Sequence, residues 1–316
     1  MKDIDVIALG ELLIDFTENG ISPAGNPILE ANPGGAPCNV LAMLNNLGKK
    51  TAFIGKVGKD SFGEYLTETV RNLGIDTTSL IKDEEVHTTL AFVHTASDGD
   101  RSFSFYRNPG ADMMLTKEDI DFEQINRAKV FHFGTLSMTH DNCREATKAA
   151  LAYAKEKGLI VSFDPNLRPP LWKSLDTAKE MMEIGFSQCD ILKISDDEIT
   201  FVTGKETIPE AIDAFLVKYQ PKLMCVTLGK NGSIAIYNGM RISSPGVIRE
   251  NTIETTGAGD TFMACVINYV LENGIDNLKE SDLVKMQAFA GNAASLITTR
   301  KGALKVMPTR EEVENG

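Results

Sequence analysis

The sequence predicts an α/β fold, a mostly parallel sheet covered by helices on both faces, with a small antiparallel sheet standing off it. Three observations carry that expectation. Short apolar runs recur along the 316 residues, with amphipathic stretches between them. The runs are continuous rather than alternating, as strands buried on both faces require. Two segments, 16–33 and 87–109, break the rhythm with turn formers and β-like runs of their own.

In chain order the strand candidates are residues 6–9, 51–57, 130–136, 160–163, 191–194 and 224–228. Between them, 61–73 and 142–157 have helical periodicity, and Gly158 stops the second. Alternation of this kind gives parallel strands joined by helical crossovers. In 16–33, Asn19-Gly20, Pro23 and Gly25 leave too few apolar residues for a helix. In 87–109, runs at 87–95 and 101–107 flank Ser97-Asp98-Gly99-Asp100, a β-hairpin signature. Phe103 and Phe105 fall on one side of the second run, and Ser102, Ser104 and Tyr106 on the other. The two segments are expected to form one small sheet, a lid inserted into a single domain spanning 1–316. Such a sheet cannot bury both faces within one chain, so the lid of a second copy is expected to cover it in a homodimer. Open α/β sheets bind ligands beyond the carboxyl ends of their strands. Chemistry is therefore sought in the segments that follow each strand.

The net charge of -12 argues against a broad surface for nucleic acid or an anionic membrane. A negatively charged substrate would need a local positive site and a divalent cation. Cys38, Cys143, Cys189, Cys225 and Cys265 are scattered, which reads as reduced thiols in a cytoplasmic protein. His87, His94, His132 and His140 show no metal-ligand spacing. The opening MKDIDVIALGE is too short and acidic for a signal peptide, and no apolar run approaches the ~20 residues of a membrane span.

The strongest local signal is Thr255-Thr256-Gly257-Ala258-Gly259-Asp260-Thr261-Phe262. Phe262, Met263, Val266, Ile267, Val270 and Leu271 then mark one helical face, ended by Gly274. Glycine-turn amides at a helix N-terminus make a candidate anion hole, and Asp260 at its edge could accept a hydroxyl proton. A glycine turn with an Asp cap fits the same stretch equally well. Pro33-Gly34-Gly35-Ala36-Pro37-Cys38-Asn39 leads into a second helix, closed by Gly48. Its glycines would admit a ligand and Asn39 could bind hydroxyl groups, although an ordinary capped connection suffices. There is no G-x-x-x-x-G-K-[ST] phosphate loop, and Gly257-Ala258-Gly259 lacks the third glycine of a dinucleotide fingerprint.

The combination of GGAPCN and TTGAGDTF resembles the two signatures of ribokinase-like (pfkB) carbohydrate kinases. GELLIDF, FIGKVGKDSFG, FYRNPGADMML, FDPNLRPPLW, ILKISDDEI and VTLGKNGS lie between them in the family's order. The resemblance therefore runs the whole length and is nearest to the fructokinase branch. It implies a ribokinase-like fold and an ATP-dependent kinase, with Mg²⁺, that phosphorylates the 6-hydroxyl of D-fructose. Position by position, it implies that Asp15, Gly34, Gly35 and Asn39 grip the sugar, and that Arg107 and Arg168 reach the sugar and the transferred phosphoryl group. It makes Asp260 the base and the amides of Gly257, Ala258 and Gly259 the anion hole. Lys193, Thr227, Gly229 and Gly232 would meet the nucleotide, and Asn292, among small residues, the adenine.

Two departures stand out. Where relatives carry N-x-x-E for the magnesium shell, this chain has Ser195-Asp196-Asp197-Glu198, which keeps only the acid of Glu198. At the family's monovalent-cation site, Glu254 replaces an Asp and Val306 a hydroxyl-bearing residue, which puts potassium activation in question. The rival readings are a 2-keto-3-deoxygluconate kinase of the same fold and a sugar-binding regulator without catalysis.

Overall fold

The computed structural model describes residues 2–95 and 101–315, and of residues 94, 95 and 101–103 the backbone alone. Its strands are β1 (Ile4–Leu9), β2 (Leu13–Ile21), β3 (Pro27–Gly34), β4 (Thr51–Gly58), β5 (Leu80–Asp83), β6 (Leu90–Thr95) and β7 (Arg101–Tyr106). They continue with β8 (Ala128–Phe133), β9 (Ile160–Phe163), β10 (Ile191–Ser195), β11 (Leu223–Thr227), β12 (Ser233–Tyr237) and β13 (Met240–Ser244). The helices are α1 (Ala36–Asn46), α2 (Ser61–Asn72), α3 (Phe122–Asn126), α4 (Asp141–Glu156) and α5 (Leu175–Gln188). After these come α6 (Asp196–Thr203), α7 (Ile208–Lys218), α8 (Ala258–Asn273), α9 (Glu280–Ile297) and α10 (Arg310–Asn315).

Nine strands form one sheet in the order β13-β12-β11-β10-β9-β8-β1-β4-β5, parallel except for the β12 and β13 edge. Side chains alternate between its faces. Val6 and Ala8 of β1 join one core with α1, α8 and α9, while Ile7 and Leu9 join a second with α4, α5 and α7. Burial on both faces explains the unbroken apolar runs. From β1 the chain builds outward through β4 and β5, then returns to place β8 on the other side of β1. That reversal opens a crevice at the carboxyl ends of β1 and β8.

The predicted run 130–136 is shorter as a strand and ends at Phe133. Beyond Gly134, Thr135 gives both its N–H (3.1 Å) and its hydroxyl (2.6 Å) to the Pro165 carbonyl, which turns Leu136–Met138 across the crevice. The β12–β13 hairpin has a local sequence signal of its own. Asn238 and Gly239 between the strands both have positive φ, as a type I′ turn requires.

The second sheet has the order β3-β2-β6-β7, with β2 and β6 parallel and the outer pairs antiparallel. Its strands come from the two segments that broke the α/β rhythm, although β2 starts earlier, at Leu13. The turn expected at 97–100 and the facing of Ser102 and Phe103 lie outside the described residues. Phe105 lines the cavity below the sheet, while Tyr106 lies edge-on to Phe92, with ring centroids 5.0 Å apart, and Phe92 stacks on Phe16.

Candidate active site

Two adjoining cavities occupy the crevice. One, of about 380 Å³, lies under the small sheet, and the other, of about 790 Å³, lies between the β11–β12 turn and α9. Asn166, Arg168, Lys193, Thr255 and Gly259 line both. Alternation along β2 turns Leu13, Asp15 and Thr17 into the first cavity, beside Asn32, Val93 and Phe105. A Cβ on Gly34 would meet the Asp15 carboxylate and force it to shift. Burial pushes the Asp15 carboxyl up to about 7, with Arg168 opposing and Glu254 adding to the effect.

Gly35 precedes α1, and Asn39 in its first turn donates to Asp260 Oδ2 at 2.8 Å. The Asn39 Oδ1 is buried and has no partner among the described residues. An unmade bond of that kind costs about 1–3 kcal/mol, and a ligand hydroxyl in the cavity would satisfy it. Asp260 sits in the first turn of α8. Burial and then the charge of Asp164 push its carboxyl up to about 6, against Asn39, Lys193 and Arg168. Such a group is mostly ionised at neutral pH and suited to accept a proton.

Helix α8 opens at Gly257, which with Gly259 lines the first cavity. The first-turn N–H groups of a helix lack intrahelical partners, and the dipole favours an anion beside them. Ala258 is an exception to the expected hole, since its N–H donates to the Thr255 carbonyl at 3.2 Å and braces the turn. Below it, Lys193 Nζ stands 2.8 Å from Asp164, and a Cβ on Gly259 would lie 3.0 Å from that ammonium. Burial works against the Lys193 charge, but Asp164 and Glu198 outweigh it and hold the group above its ordinary range. Arg168, which donates to the Leu167 carbonyl at 3.3 Å, reaches the junction from the other side. The second cavity is walled by Thr227, Gly229, Lys230 and Gly232 on one side, by Gly291 and Ala294 on the other, and closed by Val247 and Ile248.

Two expected contacts are absent. Arg107 lines neither cavity. Its side chain is 3% exposed and paired with Asp112, with Nε donating at 2.8 Å. Its other nitrogens donate to Thr139 Oγ1 at 2.8 Å and to the Leu136 carbonyl at 3.2 Å. A guanidinium so committed holds up the cavity wall from behind. Asn292 likewise turns away, accepting from Arg249 and donating to the Val313 carbonyl. The small residues that do face the cavity are its neighbours Gly291 and Ala294.

The metal residues divide in the same way. Glu198 takes the Leu167 N–H at 2.7 Å on one oxygen, and the N–H and hydroxyl of Ser195, each at 2.9 Å, on the other. That leaves the Glu198 carboxyl group fixed in the wall of the second cavity, a hard oxygen donor fit to orient the water of a magnesium ion. Among the described residues no cluster of three or more His, Cys, Asp or Glu could hold a metal alone. Glu254 accepts the Gly302 N–H at 2.7 Å, and the Val306 carbonyl is taken by Arg300 at 2.9 Å.

Residue reasoning alone does not single out Glu11, Asp164 or Lys230. Glu11 and Asp164 do carry a signal, since each is an acid at the end of an apolar strand, as Lys193 is a base in one.

Comparison with known proteins agrees with this geometry. Residues 3–310 match the model of the pfkB family of carbohydrate kinases. The chain is 40% identical over 306 residues to probable fructokinase-2 of Arabidopsis thaliana, covering 96% of this chain and 93% of the relative. It is 38% identical to fructokinase-1 of Zea mays, covering 98% and 96%. The structure of Xylella fastidiosa fructokinase with bound ATP matches with a TM-score of 0.89 at 29% identity, covering 100% of this chain and 98% of the other. Vibrio cholerae fructokinase in a form with fructose, ADP and calcium matches at 0.87 and 28%, covering 100% and 99%. With the family model spanning nearly every residue and both signatures converging on one crevice, the chain belongs to the pfkB family of carbohydrate kinases.

Proposed function

We propose that this protein is a fructokinase that transfers the γ-phosphoryl group of ATP to the 6-hydroxyl of D-fructose. The observation that carries the choice of sugar is the burial of Arg107 against Asp112. Among the described residues it leaves Arg168 as the one arginine lining the first cavity, with Asp15 and Glu254 in the same lining. A carboxylated sugar would meet those acids with Arg168 in support and with Lys193, the other cation of the lining, already paired with Asp164, whereas neutral hydroxyls can donate to them. The fructokinase relatives support the same choice.

In this reading the sugar lies under the small sheet, with hydroxyls on Asp15 and Asn39, and ATP fills the larger cavity with its γ-phosphate at the junction. Asp260 takes the 6-hydroxyl proton as the oxygen attacks phosphorus and ADP leaves. Arg168 and the α8 first-turn amides hold the charge that builds on the phosphoryl oxygens. Lys193, kept charged by Asp164, adds a cation beneath the glycine turn. Mg²⁺, carried on the phosphates and faced by Glu198, would neutralise further charge. The sheet above, with Val93 and Phe105 turned inward, excludes water that would otherwise hydrolyse ATP. The aromatic outer face of that sheet supports a homodimer paired through the lids. The reading also makes the enzyme cytoplasmic, a reducing setting that suits five buried thiols.

The test is kcat/KM for D-fructose against 2-keto-3-deoxygluconate at equal pH and Mg·ATP. Fructose is expected to win by at least tenfold, since the wrong sugar leaves buried polar groups unpaired. A tenfold preference for the acid would overturn the choice of sugar and leave the kinase chemistry standing.

A further inference from the structure

Glu11 follows β1, is 4% exposed, and lines both the sugar-side cavity and a small polar void shared with Asp164 and Asp260. The mechanism above does not use it. Its Oε1 accepts the Ala36 N–H at 2.8 Å. Ala36 is the first residue of α1, a helix that lacks a cap of its own. The preceding residue is Gly35, no side chain caps the end, and no acid lies in the first turn. With a glycine at the N-cap, the helix forgoes a few tenths of a kcal/mol relative to a capping side chain, and its first N–H groups need acceptors from elsewhere. Glu11 supplies the missing acceptor from another element, and as a carboxylate it also faces the positive end of the helix dipole. Three residues further on, Asn39 is held by its own N–H to the Gly35 carbonyl at 2.9 Å, and its side chain donates to Asp260 Oδ2. A continuous set of bonds therefore runs from the end of β1, through one helical turn, to the reacting carboxylate.

We propose that Glu11 is a positioning residue for phosphoryl transfer: it fixes the first turn of α1 and, through Asn39, the orientation of Asp260. This rests on the kinase reading given above but not on the identity of the sugar. A single bond, from Asn39, holds one Asp260 oxygen in register, and the rest of the carboxylate must meet the substrate hydroxyl. Displacement of about 1 Å at a reacting group costs up to roughly 10²-fold in rate. What matters in this arrangement is the length of the Glu11 side chain and its acceptor oxygen rather than its charge. Burial pushes the Glu11 carboxyl up to about 7, with Asp112 adding to this and its own backbone, Ala36 and Arg107 opposing, so both protonation states occur near neutrality. Either state leaves an oxygen for Ala36.

The order of three variants tests the idea. Glu11→Gln keeps length and acceptor and is expected to hold kcat within about threefold of wild type. Glu11→Asp keeps the charge but falls a methylene short of Ala36, and Glu11→Ala removes the acceptor. Both are expected to lose about 10- to 100-fold in kcat. In Glu11→Asp the acid limb of the pH profile should move to higher pH, because the Asn39 bond that stabilises ionised Asp260 is loosened. The other groups facing Asp260, namely Asp164, Lys193 and Arg168, are untouched. In an Asn39→Ala background, Glu11→Asp should cost little more, since the connection is already cut. The proposal is overturned if Glu11→Gln falls as far as Glu11→Asp, or if the losses with Asn39→Ala are additive. If wild type ignores fructose, the sugar assignment fails, and the same variants are compared on whichever sugar it accepts.

Discussion

At the scale of single residues, the site turns on a carboxylate placed where it is neither fully buried alone nor freely solvated. Asp260 has one oxygen bonded to Asn39, with Asp164 raising its proton affinity and Lys193 and Arg168 lowering it. The balance places it near 6. The base must be deprotonated to work, so kcat/KM should be level above about pH 7 and fall as pH drops through 6. Asp260→Asn should remove that acid limb and lower kcat by roughly 10²–10⁴-fold with ATP affinity little changed. A steady-state pH series on both proteins checks this, and near wild-type turnover in the variant would dismiss Asp260 as the base.

At the scale of elements, the lid hairpin is clasped where both its legs leave the body. Thr89, just before β6, donates to one oxygen of Asp112, and Arg107, just after β7, donates to the other. Arg107 also ties this point to the Leu136 turn that walls the cavity. Both members of the ion pair are almost completely enclosed. Removing one partner of such a pair leaves a buried, uncompensated charge and costs about 3–5 kcal/mol. Asp112→Ala should therefore lower the denaturant midpoint sharply, while the double change Arg107→Leu with Asp112→Leu recovers most of the loss. Equal stability of Asp112→Ala and wild type would show that the clasp carries no load.

At the scale of the whole molecule, the small sheet has one face over the first cavity and another with exposed apolar groups. Tyr106 is 68% exposed and lies edge-on to Phe92, which stacks on Phe16, and Ile21 at the end of β2 is 67% exposed. A patch of this kind on a projecting sheet is a natural self-contact, isologous in a two-fold dimer. Light scattering at micromolar concentration should give twice the 34.5 kDa chain mass. Tyr106→Lys, which places a charge at the centre of the patch, should shift the protein toward the monomer. A wild-type protein that scatters as a monomer would dismiss the pairing and leave the lid's role over the sugar intact.

Much of this was determined by the sequence alone. Unbroken apolar runs specify a sheet buried on both sides, because each strand must satisfy two cores. TTGAGDTF specifies a helix N-terminus with an acid at its edge, because glycines and the following apolar face leave few alternatives. Periodicity is a local property, and it was legible wherever the deciding contacts were local. The partners of long polar side chains are not local. Arg107 could equally have faced a ligand, and only the folding of Asp112, Leu136 and Thr139 around it withdraws it from the site. Asn292 lies among small residues that would admit adenine, yet Arg249 and the Val313 carbonyl claim its amide. Glu11 lies within GELLIDF without a role of its own there, and its place at the head of α1 follows from bringing the end of β1 against a helix 25 residues away in the chain. A buried polar group must find a partner somewhere, and the tertiary structure decides which one because several candidates of equal chemistry lie within reach of the same flexible side chain.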